Sequence, residues 1–259
     1  MADSHGDFIW YELMTTDADA AQAFYGPLLG WDFRDSGAPG MDYRLATKSG
    51  IDVAGILPLT ADMTDGGAQP MWAGYVSVDA IDPAIDKHQA LGGSVFMGPN
   101  HMPGVGHMAF VADPQGVPLY LMQPEGEESQ SFAKHEPREG HCAWNELVTS
   151  DAVAAKTYYG DLFGWDKTDE MDMGEMGLYE MYSVNGYTLG AIMPKPDMMP
   201  TSMWVYYLRV PEIDAAAAYV SDNGGTLLNG PMEIPGGEYI IQAIDPQGAM
   251  FALIGKKGA

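Results

Sequence analysis

The pattern of apolar and polar residues divides the start of the chain into one strand, one helix and three further strands. Residues 8–13 are rich in aromatic side chains and alternate in polarity, which is typical of a β-strand. Thr16 or Asp17 can cap the helix that follows, and Gly30 can end it after about Leu29 by adopting a left-handed conformation. Three predicted strands then follow between glycine-containing turns, at residues 31–33, 43–48 and 51–57.

The same plan occurs four times, because the chain consists of two similar halves and each half contains two such modules. WYELMTTDADAAQAFYGPLLGWDF, starting at Trp10, returns as WNELVTSDAVAAKTYYGDLFGWDK starting at Trp144, and a second pair of similar segments starts at Met71 and Met203. Offsets of 134 and 132 residues indicate duplicated domains, since solenoid repeats are only about 20–50 residues long. We predict modules at about 7–60, 71–124, 141–195 and 203–256, in domains at 1–125 and 140–259 with a linker at 126–139.

A four-residue motif recurs near the end of each half. Asp113-Pro-Gln-Gly116 and Asp245-Pro-Gln-Gly248 have the composition of tight turns, with Asp first, Pro second and Gly last. Each is expected to join the last two strands of its half, so we assign the motif a structural role.

Composition and charge exclude some classes of function. Thirty-six acidic against twelve basic residues give a formal net charge of -24, so the chain lacks the cationic surface that binding to nucleic acid requires. No apolar run is long enough for a membrane helix, and the N-terminus has no basic and apolar signal segment. The single cysteine, Cys142, fits a reducing compartment, so a cytoplasmic location is expected.

The motifs resemble those of a known superfamily. FYG or YYG near the end of the first helix, GWD at the second strand and DPQG before the last strand resemble the vicinal oxygen chelate superfamily, which includes glyoxalase I, extradiol dioxygenases and bleomycin-resistance proteins. The resemblance implies an α+β fold in which four βαβββ modules pair into two cupped, mostly antiparallel eight-stranded sheets with helices outside. It also implies a ligand pocket in each cup.

Family enzymes usually hold a divalent metal in the cup with His, Gln or Glu side chains. The matching first-strand positions here are Trp10 and Trp144, with about Ala73 and Val205 in the companion modules. None of these side chains binds a divalent ion well. The last-strand positions are Tyr120 and Ala252, and no histidine pair has ligand spacing with a matching carboxylate. We therefore expect no metal and no cofactor.

Strand alternation predicts what occupies the cups instead. If Trp10 points inward, Phe8 and Glu12 face the same way, and the same rule groups Trp144 with Glu146. We expect Glu12 across from Tyr75, and Glu146 across from Tyr207. Glu12 and Glu146 are the candidate catalytic residues; the candidate substrate-binding residues are Trp10, Tyr75, Tyr120, Met122, Trp144, Tyr207, Arg209 and His107.

Three functions stay open. The first is a binding protein, monomeric or homodimeric, that holds a small hydrophobic or aromatic molecule in a metal-free aromatic cup. The second is a glyoxalase-like lyase or isomerase, or a dioxygenase, with a relocated metal or with glutamate acid/base chemistry. The third is a non-catalytic protein with collapsed pockets, in which the glutamates only satisfy hydrogen bonds in the core.

Overall fold

The computed structural model describes residues 3–38, 40–197 and 199–258 and contains two eight-stranded mixed sheets, one in each half of the chain. The elements of the first half are β1 (Phe8–Thr15), α1 (Ala18–Leu29), β2 (Asp32–Asp35), β3 (Arg44–Lys48), β4 (Ile51–Pro58), α2 (Ala61–Asp65), β5 (Met71–Ser77), α3 (Ile81–Ala90), β6 (Ser94–Met102), β7 (Gly106–Ala112) and β8 (Pro118–Pro124). Those of the second half are β9 (Cys142–Thr149), α4 (Ala152–Phe163), β10 (Asp166–Asp172), β11 (Leu178–Val184), β12 (Tyr187–Pro194), β13 (Met203–Glu212), α5 (Ile213–Asp222), β14 (Thr226–Glu233), β15 (Tyr239–Ile244) and β16 (Met250–Lys256).

The strand order is β2-β3-β4-β1-β5-β8-β7-β6 in the first sheet and β10-β11-β12-β9-β13-β16-β15-β14 in the second. Within each module the first and last strands are parallel neighbours, and the other pairs are antiparallel. The α+β prediction with four modules of one strand, one major helix and three strands is confirmed. The short helix α2 is an addition that the sequence pattern did not predict.

The predicted boundaries of helix α1 are confirmed, and its counterpart α4 begins and ends in the same way. An Asp17 side-chain oxygen accepts the Ala20 N–H at 2.9 Å, and Gly30 takes the left-handed conformation at φ 64°. In α4, Asp151 caps the start in the same way and Gly164 ends the helix at φ 73°. These boundaries depend on local chemistry, which is why they could be predicted from single residues.

The Asp-Pro-Gln-Gly motifs form the predicted turns, and their aspartates are buried. Asp113 Oδ1 accepts the N–H groups of Gln115 and Val117 at 2.9 and 2.8 Å, which closes the turn between β7 and β8. Asp245 makes the equivalent bonds between β15 and β16. Both carboxylates are only 3% exposed, so burial raises their pKa above the usual value for aspartate, although the hydrogen bonds that they accept oppose this change.

The chain forms two compact units, and each combines segments from both halves. The first unit contains the residues up to Trp10, Ala73–Ser129 and Trp144–Trp204, and the second contains Tyr11–Trp72, Gln130–Ala143 and the chain from Val205 onward. The first unit therefore consists mainly of the second and third modules, and the second unit of the first and fourth.

Hydrogen bonds between the repeated motifs explain the composition of each unit. In the first unit, Tyr159 of the YYG motif donates to Asp113 Oδ2 at 3.0 Å and accepts the indole N–H of Trp204 at 3.2 Å. In the second unit, Tyr25 of the FYG motif donates to Asp245 Oδ2 at 3.0 Å and accepts from Trp72 at 3.1 Å. Each tyrosine–aspartate bond joins a helix of one half to a turn of the other, and both tyrosines are fully buried. Burial strongly raises the pKa of both phenols, so they remain protonated donors.

The tryptophans of the two GWD motifs have a similar structural role. Trp31 donates to the Gly140 carbonyl at 2.7 Å, and Trp165 donates to the Gly6 carbonyl at 2.8 Å. The first bond lies within the second unit and the other within the first unit, and each attaches the tryptophan just before the second strand of a module to a distant loop. No helix in the described part of the chain is long and apolar enough to cross a membrane.

Candidate functional site

A row of aromatic rings in contact with one another crosses four neighbouring strands of the first unit. Tyr75 in β5 stacks on Tyr120 in β8, with ring centroids 4.0 Å apart and planes only 10° apart. Tyr120 contacts Phe110 in β7 at 4.7 Å, and Phe110 contacts Phe96 in β6 at 5.5 Å. The strand register causes this arrangement, because Tyr75 and Phe110 both lie directly opposite Tyr120. We call Tyr75, Tyr120, Phe110 and Phe96 the aromatic row.

The aromatic row lies on the face of the sheet that points away from helix α3. Gln123 at the end of β8 accepts the Ile81 N–H at the start of α3, at 3.0 Å, so the odd-numbered positions of β8 face the helix. Tyr120 and Met122 therefore face the other way, as the sequence predicts for cup residues. The row runs from buried Tyr75 and Tyr120 through half-buried Phe110 to Phe96, which is 60% exposed.

A buried glutamate of the third module is held by a tyrosine that the sequence analysis did not name. Tyr179 in β11 donates to Glu146 Oε2 at 2.8 Å and accepts the Trp144 indole N–H at 2.7 Å. Glu146 is 6% exposed, and Trp144 is half-buried. Burial first, and then the Glu146 carboxylate, raises the pKa of Tyr179 far above the usual value, so the phenol keeps its proton.

Strand β11 contains a matched pair of tyrosines that tests this hydrogen-bond chain. Tyr179→Phe removes a hydroxyl that bonds to buried Glu146 and half-buried Trp144, so we expect it to lower the free energy of unfolding by about 1–3 kcal/mol. Tyr182 is 2% exposed, and its buried hydroxyl has no partner, so Tyr182→Phe should change stability by less than about 0.5 kcal/mol or increase it. Urea unfolding of both variants measures the difference. Equal losses would contradict the assigned role of Tyr179.

In the second unit the predicted cup residues have polar neighbours. Glu12 is 2% exposed and lies opposite Gly55, where a Cβ would come 1.9 Å from the Tyr43 hydroxyl oxygen. Only glycine at position 55, opposite Glu12, leaves room for the Tyr43 hydroxyl. Tyr207 accepts the Gln242 side-chain N–H at 2.9 Å.

Arg209 of β13 forms a bidentate ion pair with Glu238. The arginine side chain is only 12% exposed, and its Nε is buried without a partner. Phe8, which alternation places in the first cup, packs against Trp165 and Trp204 and belongs to the core of the first unit. Trp204 is 6% exposed and packs against Phe8 and Tyr159 inside the same unit.

The side chains at the family's usual metal positions do not fit a metal. The only nitrogen of Trp144 carries the hydrogen that it donates to Tyr179, so it has no lone pair for an ion, and the same chemistry applies to Trp10. The Tyr120 ring is enclosed between Tyr75 and Phe110, and Ala252 has no ligand atom. These positions therefore supply no ligands that could support chemistry through a metal.

The prediction that no histidine pair has a matching carboxylate was wrong. His101, His107 and Glu125 have ligand atoms within 4.8 Å of one another, and we call these three residues the hairpin cluster. His107 lies there, on the sheet face opposite Phe110, rather than beside the aromatic row. A sequence signal existed, because His101 and His107 flank a short hairpin turn and Glu125 follows the neighbouring strand.

Comparisons with known proteins agree with this architecture. The family model described as "Glyoxalase/Bleomycin resistance protein/Dioxygenase superfamily" matches residues 8–121 and 139–253. CFP32 of Mycobacterium tuberculosis, which carries a provisional name as a glyoxylase, is 31% identical over 95% of this chain and 93% of its own length. The anthracycline biosynthesis protein DnrV of Streptomyces peucetius is 27% identical over 95% of this chain and 91% of its own.

Two solved structures show the same fold at low identity. The Mn(II)-bound glyoxalase from Novosphingobium aromaticivorans has a TM-score of 0.65 and 16% identity, covering 99% of this chain and 84% of that one. The 2,3-dioxygenase LapB from Pseudomonas sp. KL28 has a TM-score of 0.66 and 12% identity, covering 99% and 94%. At such identities the likeness supports the fold alone.

Proposed function

Because the chain belongs to the glyoxalase/bleomycin resistance/dioxygenase superfamily but has tryptophan, tyrosine and alanine at the family's metal positions, we propose that it binds a small planar aromatic molecule without a metal. The binding surface is the aromatic row of the first unit. Tyr75, Tyr120, Trp10, Trp144 and Met122 supply the apolar wall of this surface, and Glu146 supplies a carboxylate that accepts a hydrogen bond from the ligand. Glu12, Tyr207 and Arg209 belong to the second unit and would line a separate surface there.

The observation behind this proposal is the near-parallel stack of Tyr75 and Tyr120, from which tilted ring contacts through Phe110 lead to exposed Phe96. A row of rings with a solvent-facing end lets a flat molecule continue the same stacking. Each ring that stacks on a ligand contributes about 1–3 kcal/mol, as in base stacking on aromatic side chains. Micromolar affinity corresponds to about 8 kcal/mol, so stacking on two rings supplies part of the binding free energy, and burial of the rest of the ligand and its hydrogen bonds supply the remainder.

The names of two relatives agree in chemistry with a flat aromatic ligand. DauV of Streptomyces sp. strain C5 and DnrV are both named anthracycline biosynthesis proteins, and an anthracycline is built on a planar, oxygenated ring system. Oxygen substituents on such rings suit the buried carboxylate–phenol pair of Glu146 and Tyr179. We therefore take an oxygenated polycyclic aromatic compound as the ligand class.

A titration with 1,8-dihydroxyanthraquinone in the presence of excess chelator tests this proposal. The un-ionised probe carries no charge, so electrostatic attraction to the protein, whose formal net charge is -24, does not contribute to its binding. We expect saturable quenching of tryptophan fluorescence with a micromolar Kd that is the same with and without chelator. Absence of saturable binding would refute the proposal and favour the third hypothesis, a non-catalytic protein with collapsed pockets. Binding that requires an added metal would also refute it.

A second function is favoured by the burial of Glu146. A 6% exposed carboxylate that accepts a phenolic hydrogen bond can act as a general base that moves a proton between neighbouring carbons of a bound substrate, as a glyoxalase-like isomerase would. The glutathione hemithioacetal of methylglyoxal is the test substrate. Turnover by chelator-treated protein that is lost in Glu146→Gln would favour this function, and absence of turnover would favour binding alone.

A further inference from the structure

The end of the β6–β7 hairpin brings two histidines and a glutamate together. His101 and His107 are directly opposite each other in the antiparallel register, and their rings stack with centroids 4.3 Å apart and planes 19° apart. Glu125 is the first residue after β8, and its N–H donates to the Val105 carbonyl in the hairpin turn at 2.9 Å. The backbone therefore fixes all three residues before any ion is present.

The carboxylate of Glu125 is held in place by two hydrogen bonds. His101 Nε2 lies 3.0 Å from Oε1, and the Gly104 N–H donates to Oε2 at 3.1 Å. The Gly104 N–H first, and then His101, lower the pKa of Glu125, which favours the ionised form. A carboxylate oxygen held beside two imidazole rings offers one oxygen and two nitrogen ligands to a metal ion, which a cluster of surface carboxylates alone does not.

We propose that His101, His107 and Glu125 bind one divalent transition-metal ion, and that Zn²⁺ is the ion best suited to them. Imidazole nitrogens and carboxylate oxygens are the usual zinc ligands in sites of this composition. The site is separate from the aromatic row, since His107 lies on the opposite sheet face from Phe110. The proposal therefore does not depend on the proposed function.

The distances allow an ion to bind after small side-chain rotations. Zinc holds nitrogen and oxygen ligands at about 2.0–2.2 Å, which places tetrahedral ligand atoms about 3.3 Å from one another. The ligand atoms of the hairpin cluster lie within 4.8 Å, so each side chain has to move by roughly 1 Å. The His101 and Glu125 side chains are 44% and 43% exposed, so this movement does not disturb the core. Three protein ligands leave a coordination position for water.

The duplicated half provides a natural comparison at the same three positions. An offset of 132 residues places Glu233, Tyr239 and Lys257 where His101, His107 and Glu125 stand. Tyr239 donates to Glu233 at 3.1 Å, and the Lys257 ammonium lies 5.1 Å from the centre of the Tyr239 ring. The equivalent hairpin of the second half is thus stabilised by a carboxylate, a phenol and an ammonium group. These three groups include no imidazole and are a poor set of ligands for zinc.

This comparison supplies the control variant. The triple substitution His101→Glu, His107→Tyr and Glu125→Lys installs residues that the second half already accommodates, so we expect it to fold. In chelator-treated protein, isothermal titration with Zn²⁺ should show one ion per wild-type chain, bound at least tenfold more tightly than by the triple variant. Co²⁺ should give visible absorption bands in the wild type alone.

Millimolar Ca²⁺ in the titration separates the site from the acidic surface, because an oxygen-seeking ion competes for carboxylates but not for imidazoles. Equal Zn²⁺ binding by wild type and triple variant, or loss of wild-type binding in Ca²⁺, would overturn the proposal. If the triple variant does not fold, His107→Gln replaces it and should weaken Zn²⁺ binding at least tenfold. Unchanged affinity in that variant would also overturn the site.

Discussion

Replacing Asp113 with alanine is expected to lower the free energy of unfolding by about 3–5 kcal/mol, because it leaves buried donors without an acceptor. The side chain accepts two turn N–H groups, from Gln115 and Val117, and the Tyr159 hydroxyl, and it is 3% exposed. The Tyr159 bond also joins a helix of one half to a turn of the other. Its loss therefore weakens the first unit as a whole, and chemical denaturation measures the cost. Asp245→Ala should have a similar effect on the second unit.

The controls for this prediction separate the hydrogen bonds from the charge. Asp82→Ala, at an exposed position in α3, should cost less than about 0.5 kcal/mol. Asp113→Asn keeps an acceptor for the turn and should cost less than Asp113→Ala. A loss below about 1 kcal/mol for both Asp113→Ala and Asp245→Ala would contradict the role assigned to the Tyr–Asp bonds.

The pH dependence of the asparagine variant has a definite sign. Burial raises the folded-state pKa of Asp113 above its unfolded value, so its contribution to stability is complete below the unfolded pKa of about 3.9 and is lost as pH rises through the folded pKa. Asparagine does not titrate. The difference in unfolding free energy between wild type and Asp113→Asn should therefore shrink as pH rises above about 4.

Replacing Tyr120 should have the largest effect on ligand binding. Its ring contacts both Tyr75 and Phe110, so Tyr120→Leu interrupts the aromatic row while it keeps an apolar side chain of similar burial. We expect the Kd for 1,8-dihydroxyanthraquinone to rise about 10–100-fold, corresponding to about 1.4–2.8 kcal/mol of lost stacking. Fluorescence titration at a temperature well below the melting temperature of the variant measures this change.

Two comparisons distinguish a specific effect of Tyr120→Leu on the Kd from the general effect of removing an aromatic ring. Tyr219→Leu removes a ring from helix α5, which carries no part of the aromatic row, and it should leave the Kd within about twofold of wild type. The second half already has Ala252 at the position equivalent to Tyr120, so a smaller residue is compatible with the fold. An unchanged Kd in Tyr120→Leu would place the ligand elsewhere.

Local features of the fold could be predicted from the sequence because they depend on neighbouring residues. The caps at Asp17 and Gly30 and the turn at Asp113 each require one residue type at one position, and the structure has them where the pattern predicts. The duplication added a second independent copy of every such signal. The face occupied by Tyr120 also followed from alternation, since β8 pairs with β7 without a register shift.

Features that depend on distant pairing could not be predicted. Tyr25 and Asp245 are 220 residues apart, so no sequence pattern identified the bond that joins the first and fourth modules. Tyr179 lies on a strand whose pairing contains register shifts on both sides, which hid its approach to Glu146. His101 and His107 pair next to the hairpin turn, but the third member of the hairpin cluster, Glu125, comes from beyond the neighbouring strand β8, and its approach depends on the pairing of β7 with β8.

The most direct test of the account is to locate a bound aromatic molecule in chelator-treated protein. With tyrosine and phenylalanine ring carbons labelled, isotope-filtered nuclear Overhauser spectra of the 1,8-dihydroxyanthraquinone complex should show contacts from ligand protons to the rings of Phe96 and Phe110, at the solvent-facing end of the aromatic row. Substitution of each phenylalanine by leucine assigns its signals. Contacts only to rings outside the aromatic row, or a complex that forms only after a divalent ion is added, would contradict the account.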